Sequence, residues 1–256
     1  MTTTLKTAGI KKVVITRSKR GNEELSGRLK RAGFDPIPVD TISLSPPNDW
    51  RVVDGVLRRL HSFDWLVFTS AIGVEYFESR MNALSLRLGW EGKPLVASVG
   101  QRTAEKLSGL DVRPSFTPSS FLTVRLAEEL PAEMGRRVLL LRADIADPKL
   151  SEGLRARGFD VEEASIYRTR FVDSGTDDRL RDADLIVFAS PSAVRGFCRI
   201  VPKKELSALQ RVRAICIGPV TAAAAQENGF AKTVVPKMYT LDSVVGEIVR
   251  LSEQDA

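Results

Sequence analysis

Asp64-Trp65-Leu66-Val67-Phe68-Thr69-Ser70, with Val74 and Phe77 beyond it, returns 120 residues later as Asp184-Leu185-Ile186-Val187-Phe188-Ala189-Ser190, with Val194 and Phe197 beyond it. Each is a short apolar run without polar alternation, the pattern of a parallel strand covered on both faces, and each passes through Ser into apolar residues at helical spacing. Working outward, Lys12-Val13-Val14-Ile15-Thr16-Arg17 with Leu25, Leu29 and Gly33-Phe34-Asp35 recurs as Arg137-Val138-Leu139-Leu140-Leu141-Arg142 with Leu150, Leu154 and Gly158-Phe159-Asp160, at a constant offset of 125. Val99-Gly100-Gln101-Arg102-Thr103-Ala104 recurs as Ile217-Gly218-Pro219-Val220-Thr221-Ala222 at an offset of 118, which Pro118 and Pro236 keep. Slowly shrinking offsets are what two copies of one unit show after small loop deletions, so the chain reads as a duplicated α/β unit.

The pattern predicts strands near 13–17, 36–41, 65–69 and 95–99 in the first copy, with helices near 22–32, 51–61, 71–80 and 101–108. In the second copy it predicts strands near 137–142, 161–167, 184–189 and 213–217. Gly33 and Gly158 follow helical patterns that end in basic residues, the signature of a glycine that closes a helix. Pro46-Pro47-Asn48 and Asp173-Ser174-Gly175 break the chain at matching points.

Composition excludes several classes. A chain of 256 residues with 43% hydrophobic and 27% charged residues builds a packed core, and none of its apolar runs approaches the roughly 20 residues of a membrane span. No apolar leader follows the N-terminal lysines, so a cytoplasmic protein is expected. Cys198 and Cys216 are too few and too far apart for a disulfide framework or a Cys-x-x-Cys site and read as reduced thiols. His61, the single histidine, reads as a solvated residue closing a helix over 50–60, and its solitude rules out a multi-histidine zinc site or a histidine acid–base pair. The 38 basic and 32 acidic residues leave a charge of +6, which favours an acidic partner. The basic pairs are dispersed and lack aromatic interleaving, so a polyanionic small molecule fits at least as well as nucleic acid.

In parallel α/β sheets, ligands bind beyond the carboxyl ends of the strands, where loops lead into helix N-termini. Here those loops are Arg17-Ser18, Thr69-Ser70, Gly100 to Thr103, Arg142-Ala143, Ser190-Pro191-Ser192 and Gly218 to Thr221. Their Ser, Thr and Gly residues cap helices and leave backbone N–H groups to an anion. Phosphate-loop, dinucleotide, nucleophile-elbow and zincin motifs are all missing from the sequence.

The chain carries, in order, the motifs Ile15-Thr16-Arg17, Phe68-Thr69-Ser70, Val99-Gly100 with Thr103-Ala104, Ser165-Ile166-Tyr167-Arg168-Thr169, Phe188-Ala189-Ser190-Pro191-Ser192 and Ile217-Gly218-Pro219 with Thr221-Ala222. In that order and combination the chain resembles the uroporphyrinogen-III synthase family. The resemblance implies two similar flavodoxin-like domains joined by a two-stranded hinge, with substrate held between them. One domain would be discontinuous, residues 1–40 plus 170–256, and the other would span 41–169. It further implies closure of linear hydroxymethylbilane to uroporphyrinogen III with inversion of ring D and no cofactor or metal. The implied route is loss of hydroxide to an azafulvene, attack by ring D from its substituted carbon, and fragmentation and reclosure of a spiro intermediate. By resemblance Tyr167 is the proton donor, and Arg17, Ser70, Gly100, Thr103, Arg142, Ser190, Ser192, Gly218 and Thr221 contact substrate, the two arginines through carboxylates. The expected partner is a tetrapyrrole small molecule, with no nucleic acid and no membrane, and the expected state is a monomer. A competing reading of another class is a two-domain sensor that binds a polyanion without chemistry. A phosphate-sugar enzyme is a weaker third.

Overall fold

The computed structural model describes residues 10–87, 94–172 and 177–254. In chain order the first elements are β1 (Lys12–Arg17), α1 (Lys19–Arg31), β2 (Asp35–Asp40), β3 (Ile42–Ser45), α2 (Arg51–Leu57), β4 (Trp65–Phe68), α3 (Ala71–Ala83), β5 (Leu95–Ser98) and α4 (Gln101–Ser108). There follow α5 (Thr123–Glu129), β6 (Arg137–Ala143), α6 (Lys149–Ala156) and the long β7 (Asp160–Phe171). The last are β8 (Leu185–Phe188), α7 (Pro191–Ile200), α8 (Lys203–Leu209), β9 (Arg213–Cys216), α9 (Pro219–Glu227), β10 (Thr233–Val234) and α10 (Leu241–Gln254). The expected break at Asp173-Ser174-Gly175 lies outside the described residues.

The chain divides into two compact units, one made of the chain up to Ser43 and from Arg170 onward, the other of Leu44–Thr169. The first unit holds a parallel sheet in the order β2-β1-β8-β9-β10. In the second, β7-β6-β4-β5 is the same parallel arrangement, β3 lies outside β7, and a parallel bridge from Ala97 to Phe116 stands where the first sheet has β10. The class is α/β with parallel sheets, as expected from the unalternated runs. Each sheet takes strands from both sequence copies. Asp64 Oδ2 accepts the backbone N–H of Arg136 and Arg137 at 2.8 and 2.9 Å, and Asp184 Oδ2 accepts those of Lys11 and Lys12 at 2.9 and 2.8 Å.

Alternate residues of each strand feed cores on opposite faces. Val14, Ile186, Phe188 and Ala214 pack on one side of the first sheet, and Val13, Ile15, Val187 and Ile215 on the other. Leu66, Phe68 and Leu139 oppose Trp65, Val67 and Leu140 in the same way in the second. Burial on both faces is why these strands carry no polar alternation.

Gly33 and Gly158 have φ of +88° and +80°, which glycine adopts without steric cost. Phe34 N–H reaches Leu29 O and Phe159 N–H reaches Leu154 O, so each helix ends in a Schellman turn whose Leu and Phe share a core. The helix expected to run to residue 61 stops at Leu57, and His61 lies exposed in a 3₁₀ turn, Leu60–Ser62. Leu57, Leu60 and Phe63 are all buried, and a spacing of three matches the 3₁₀ repeat better than the α-helical one. Strand β3 was not expected as a separate element.

Among the described residues no helix is long and apolar enough to cross a membrane, and no group of three or more His, Cys, Asp or Glu is placed to hold a metal ion. Cys198 and Cys216 are both free. Burial pushes their thiols up to about 11 and about 12.

Candidate active site

In the second unit the decisive local feature is an irregularity in β7. Arg142 of β6 pairs with Ser165, but the next residue, Ala143, pairs with Tyr167, so Ile166 is skipped. Strict alternation would put Tyr167 on the opposite face from Ala164 and Ile166. The bulge instead places all three in the core that lies against α3. Tyr167 is 8% exposed there.

Ser70 closes β4 and caps α3, its Oγ accepting the N–H of Gly73 at 3.0 Å. The same Oγ lies 3.1 Å from the Tyr167 hydroxyl. Either hydroxyl can donate in this contact; when Ser70 donates, the phenolic proton is left to a ligand. Burial raises the Tyr167 pKa above its ordinary value of 10, with the Ser70 hydrogen bond opposing it. The Tyr76 ring stacks on Tyr167 with centroids 5.6 Å apart and planes 14° from parallel. Arg168, the next residue on β7, has a buried Nε without a partner among the described residues.

Gly100 caps α4 and Gly218 caps α9. Three residues on, Thr103 and Thr221 are only 4% and 3% exposed. Each backbone N–H bonds to the capping glycine carbonyl. Both glycines are extended, at φ −134° and −162°. A Cβ at Gly100 would meet nothing within 4 Å, and one at Gly218 only the Tyr239 ring at ordinary contact distance. Neither backbone shape nor crowding within the chain requires glycine there.

In the first unit Ser190 caps α7 by accepting from Ala193 N at 3.1 Å, and its Oγ lies 2.9 Å from that of Ser192. The residue 125 positions before Tyr167 is Ile42, so the first copy has no phenol to offer.

The helix termini are tuned alike. An acidic residue in the first turn stabilises a helix by offsetting its dipole. Helices α2, α6, α8 and α10 carry one, whereas α1, α3, α4, α7 and α9, all of which follow a candidate loop, carry none, as does α5, which follows no such loop. Lys19 and Arg20 open α1 and Arg102 sits in the first turn of α4, the reverse of the stabilising arrangement. Such ends attract anions.

The loop after β6 is the exception. Arg142 is 7% exposed, and its guanidinium donates to the Asp147 carbonyl at 2.8 Å, to Ser151 Oγ at 3.3 Å and to Glu163. Burial raises the Glu163 pKa, but hydrogen bonds from Ser151 and Arg142 and the nearby guanidinium charges outweigh it, and the net shift is downward. Arg17 likewise turns back onto its own helix, donating to the Gly21 carbonyl at 3.4 Å with Glu24 3.8 Å away. The structure therefore groups Ser70, Tyr167, Gly100 and Thr103 at strand ends of one unit and Ser190, Ser192, Gly218 and Thr221 at those of the other, while both arginines are engaged within the chain.

Residues 23–246 match the family model described as uroporphyrinogen-III synthase HemD. The chain belongs to the uroporphyrinogen-III synthase family. It is 29% identical over 256 residues to the uroporphyrinogen-III synthase of Synechococcus elongatus, covering 95% of this chain and 96% of that one. To a putative uroporphyrinogen-III synthase of Archaeoglobus fulgidus it is 31% identical over 245 residues, covering 91% and 96%. Its fold is similar to the crystal structure of a mutant uroporphyrinogen III synthase from Thermus thermophilus, with a TM-score of 0.71 at 22% identity, covering 96% and 100%. Three features of the candidate site were not revealed by residue patterns alone: the Tyr76 stack, the buried Arg168 Nε without a partner among the described residues, and the commitment of Arg142 to Glu163. Tyr76 and Arg168 left weak signals, an aromatic one and a half turns beyond the Ser70 cap and a cation inside the Tyr167 motif.

Proposed function

We propose that this chain converts hydroxymethylbilane to uroporphyrinogen III, with loss of water and inversion of ring D, as a cofactor-independent lyase of tetrapyrrole biosynthesis. The observation that carries the reading is the Ser70–Tyr167 pair, a buried phenol in hydrogen-bond contact with a capping serine at a strand end beside helix termini suited to anions. Tyr167 donates its proton to the departing hydroxyl, which leaves as water, and Ser70 stabilises the phenolate. The azafulvene cation so formed is attacked by ring D at its substituted carbon. Fragmentation and reclosure give the inverted ring, and the proton lost on rearomatisation returns to Tyr167. No net oxidation or reduction occurs, so the step calls for no redox cofactor.

Hydroxymethylbilane also closes unaided to the uninverted isomer, so the larger task is selecting one conformer. Each pyrrole carries acetate and propionate groups, which suit the loops at Ser70, Gly100–Thr103, Ser190–Ser192 and Gly218–Thr221. Arg168 offers a further carboxylate partner. Arg142 and Arg17, already engaged, shape their loops rather than bind. In this reading the two compact units are the two domains, and the working form is a cytoplasmic monomer without a nucleic-acid partner.

The test is incubation with freshly made hydroxymethylbilane and separation of the uroporphyrinogen isomers. Type III product well above the blank is expected. Type I alone, at the blank rate, would overturn the reading.

A further inference from the structure

The two copies differ at one contact between a helix and the strand beside it. At the offset of 120, Ser70, Gly73 and Tyr76 of α3 correspond to Ser190, Ala193 and Gly196 of α7. Arg17 pairs with Asp40 and Arg142 with Ser165, so Thr41, the residue after β2, holds in the first unit the place that the bulge gives to Tyr167 in the second. A Cβ on Gly196 would stand 2.6 Å from the Thr41 carbonyl oxygen and 3.0 Å from the Thr41 Cβ, so α7 and that strand end meet almost backbone to backbone. In the second unit the same two positions carry Tyr76 and Tyr167, whose rings stack 14° from parallel with centroids 5.6 Å apart. Two phenol rings thus stand where the first unit has a glycine against a carbonyl. The same helix holds Tyr167 a second time, since Ser70 Oγ at the α3 N-cap lies 3.1 Å from its hydroxyl. The first turn of α3 is itself tightly seated: a Cβ on Gly73 would come 3.3 Å from Ser70 Oγ and 3.4 Å from the Leu141 carbonyl oxygen of β6.

We propose that Tyr76 is a positioning residue for Tyr167: helix α3 holds the phenol at two points, its hydroxyl through Ser70 and its ring face through Tyr76, and so fixes where that hydroxyl stands. A hydrogen bond at the tip alone leaves the ring plane free to turn about its bond to Cβ, and a parallel ring against its face removes that freedom. Tyr76 touches no reacting atom in this assignment, and its own hydroxyl takes no part. What it contributes is a flat surface carried on the helix that also carries Ser70. The same surface covers one face of Tyr167 and keeps water from it, which favours the uncharged phenol. The assignment rests on the uroporphyrinogen-III synthase reading above.

The experiment compares Tyr76→Leu, Tyr76→Met and Tyr76→Phe in the full chain, each alone and combined with Tyr167→Phe. Two readouts are taken: the rate of type III formation, and the ultraviolet titration of Tyr167 as the difference between each chain and its Tyr167→Phe partner. Tyr76→Leu and Tyr76→Met lose the flat face, and each is expected to lower kcat by about fivefold, less than loss of the phenol itself, with KM within about twofold. Both should also move the Tyr167 titration, and the alkaline fall in rate, to lower pH, because burial is what raises its pKa. Tyr76→Phe keeps the face and should match the unaltered chain. Combined with Tyr167→Phe, none of the three should lower kcat further, since no phenol remains to be positioned. The proposal is overturned if the leucine and methionine variants keep both kcat and the titration, if Tyr76→Phe is as impaired as they are, or if kcat falls equally on the Tyr167→Phe background. Failure of both the leucine and the methionine variant to fold would also overturn it, by making Tyr76 a residue of the core. Isomer analysis of the unaltered chain separates the two ideas: failure to make type III sinks the parent reading, whereas an active chain whose kcat is indifferent to Tyr76 sinks only the positioning role.

Discussion

Asp111 stands at φ +59° in the turn that closes α4, where Gly229, 118 residues later, stands at φ +88° in the turn that closes α9. The hydrogen bonds match, Val112 N–H to Leu107 O in one and Phe230 N–H to Ala225 O in the other. A residue with a Cβ is strained in this region and glycine is not. Asp111→Gly should therefore raise stability by about 0.5–1 kcal/mol after allowing for the freer unfolded chain, an increase of a few degrees in melting temperature, with activity unchanged. A lower melting temperature would show that the Asp111 side chain stabilises the turn.

Arg142 and Arg168 make opposite predictions although both are cations near the end of a strand. Arg142→Ala removes donors from Asp147, Ser151 and Glu163 and leaves the carboxylate with Arg155 at 3.1 Å, so a loss of about 2–3 kcal/mol is expected in denaturant unfolding. Arg168→Gln removes a cation whose Nε has no partner among the described residues. Its melting curve should stay level or rise, while KM for hydroxymethylbilane increases several-fold with kcat nearly unchanged. Equal destabilisation by both substitutions would place Arg168 in the fold rather than at the substrate.

Gly100→Ala tests whether that glycine serves the chain or its ligand. The backbone is extended and the space for a Cβ is open, so the substitution should cost at most about 1 kcal/mol through the poorer cap. If a carboxylate approaches the α4 amides closely, the added methyl blocks it, and kcat/KM should fall at least about tenfold, near 1.4 kcal/mol. Full activity in the alanine variant would remove Gly100 from the site.

The strands were legible because burial on both faces leaves runs such as Leu185 to Phe188 free of polar residues, and the helix ends because Gly33 and Gly158 are needed at positive φ. Which strands share a sheet was not legible from these runs. Runs β4 and β8 are nearly the same sequence, and nothing local tells Val13 to pair with Leu185 rather than with its own copy's Trp65. The bulge was equally hidden, since Ser165-Ile166-Tyr167 reads as plain alternation until Ala143 skips a residue. Arg142 was ambiguous for a related reason. An arginine at a strand end looks the same whether it awaits a ligand or meets Glu163, and only folding brings that carboxylate from 21 residues away.

Tyr167 carries the sharpest prediction because its burial favours the protonated phenol. Burial raises its pKa above 10, so the phenol keeps its proton throughout neutral and mildly alkaline pH. A donor must be protonated to act, so the rate should show no loss from this group through neutral and mildly alkaline pH, and an alkaline fall only as pH rises through the raised pKa. Tyr167→Phe should keep the Tyr76 stack, remove that alkaline limb and slow type III formation by at least about tenfold, near 1.4 kcal/mol on the barrier. Its residual product should still be type III, because conformer selection belongs to the helix-terminus loops. Undiminished rate in the Phe variant would take Tyr167 out of the chemistry, and a slow variant releasing mainly the uninverted isomer would assign it to substrate folding instead.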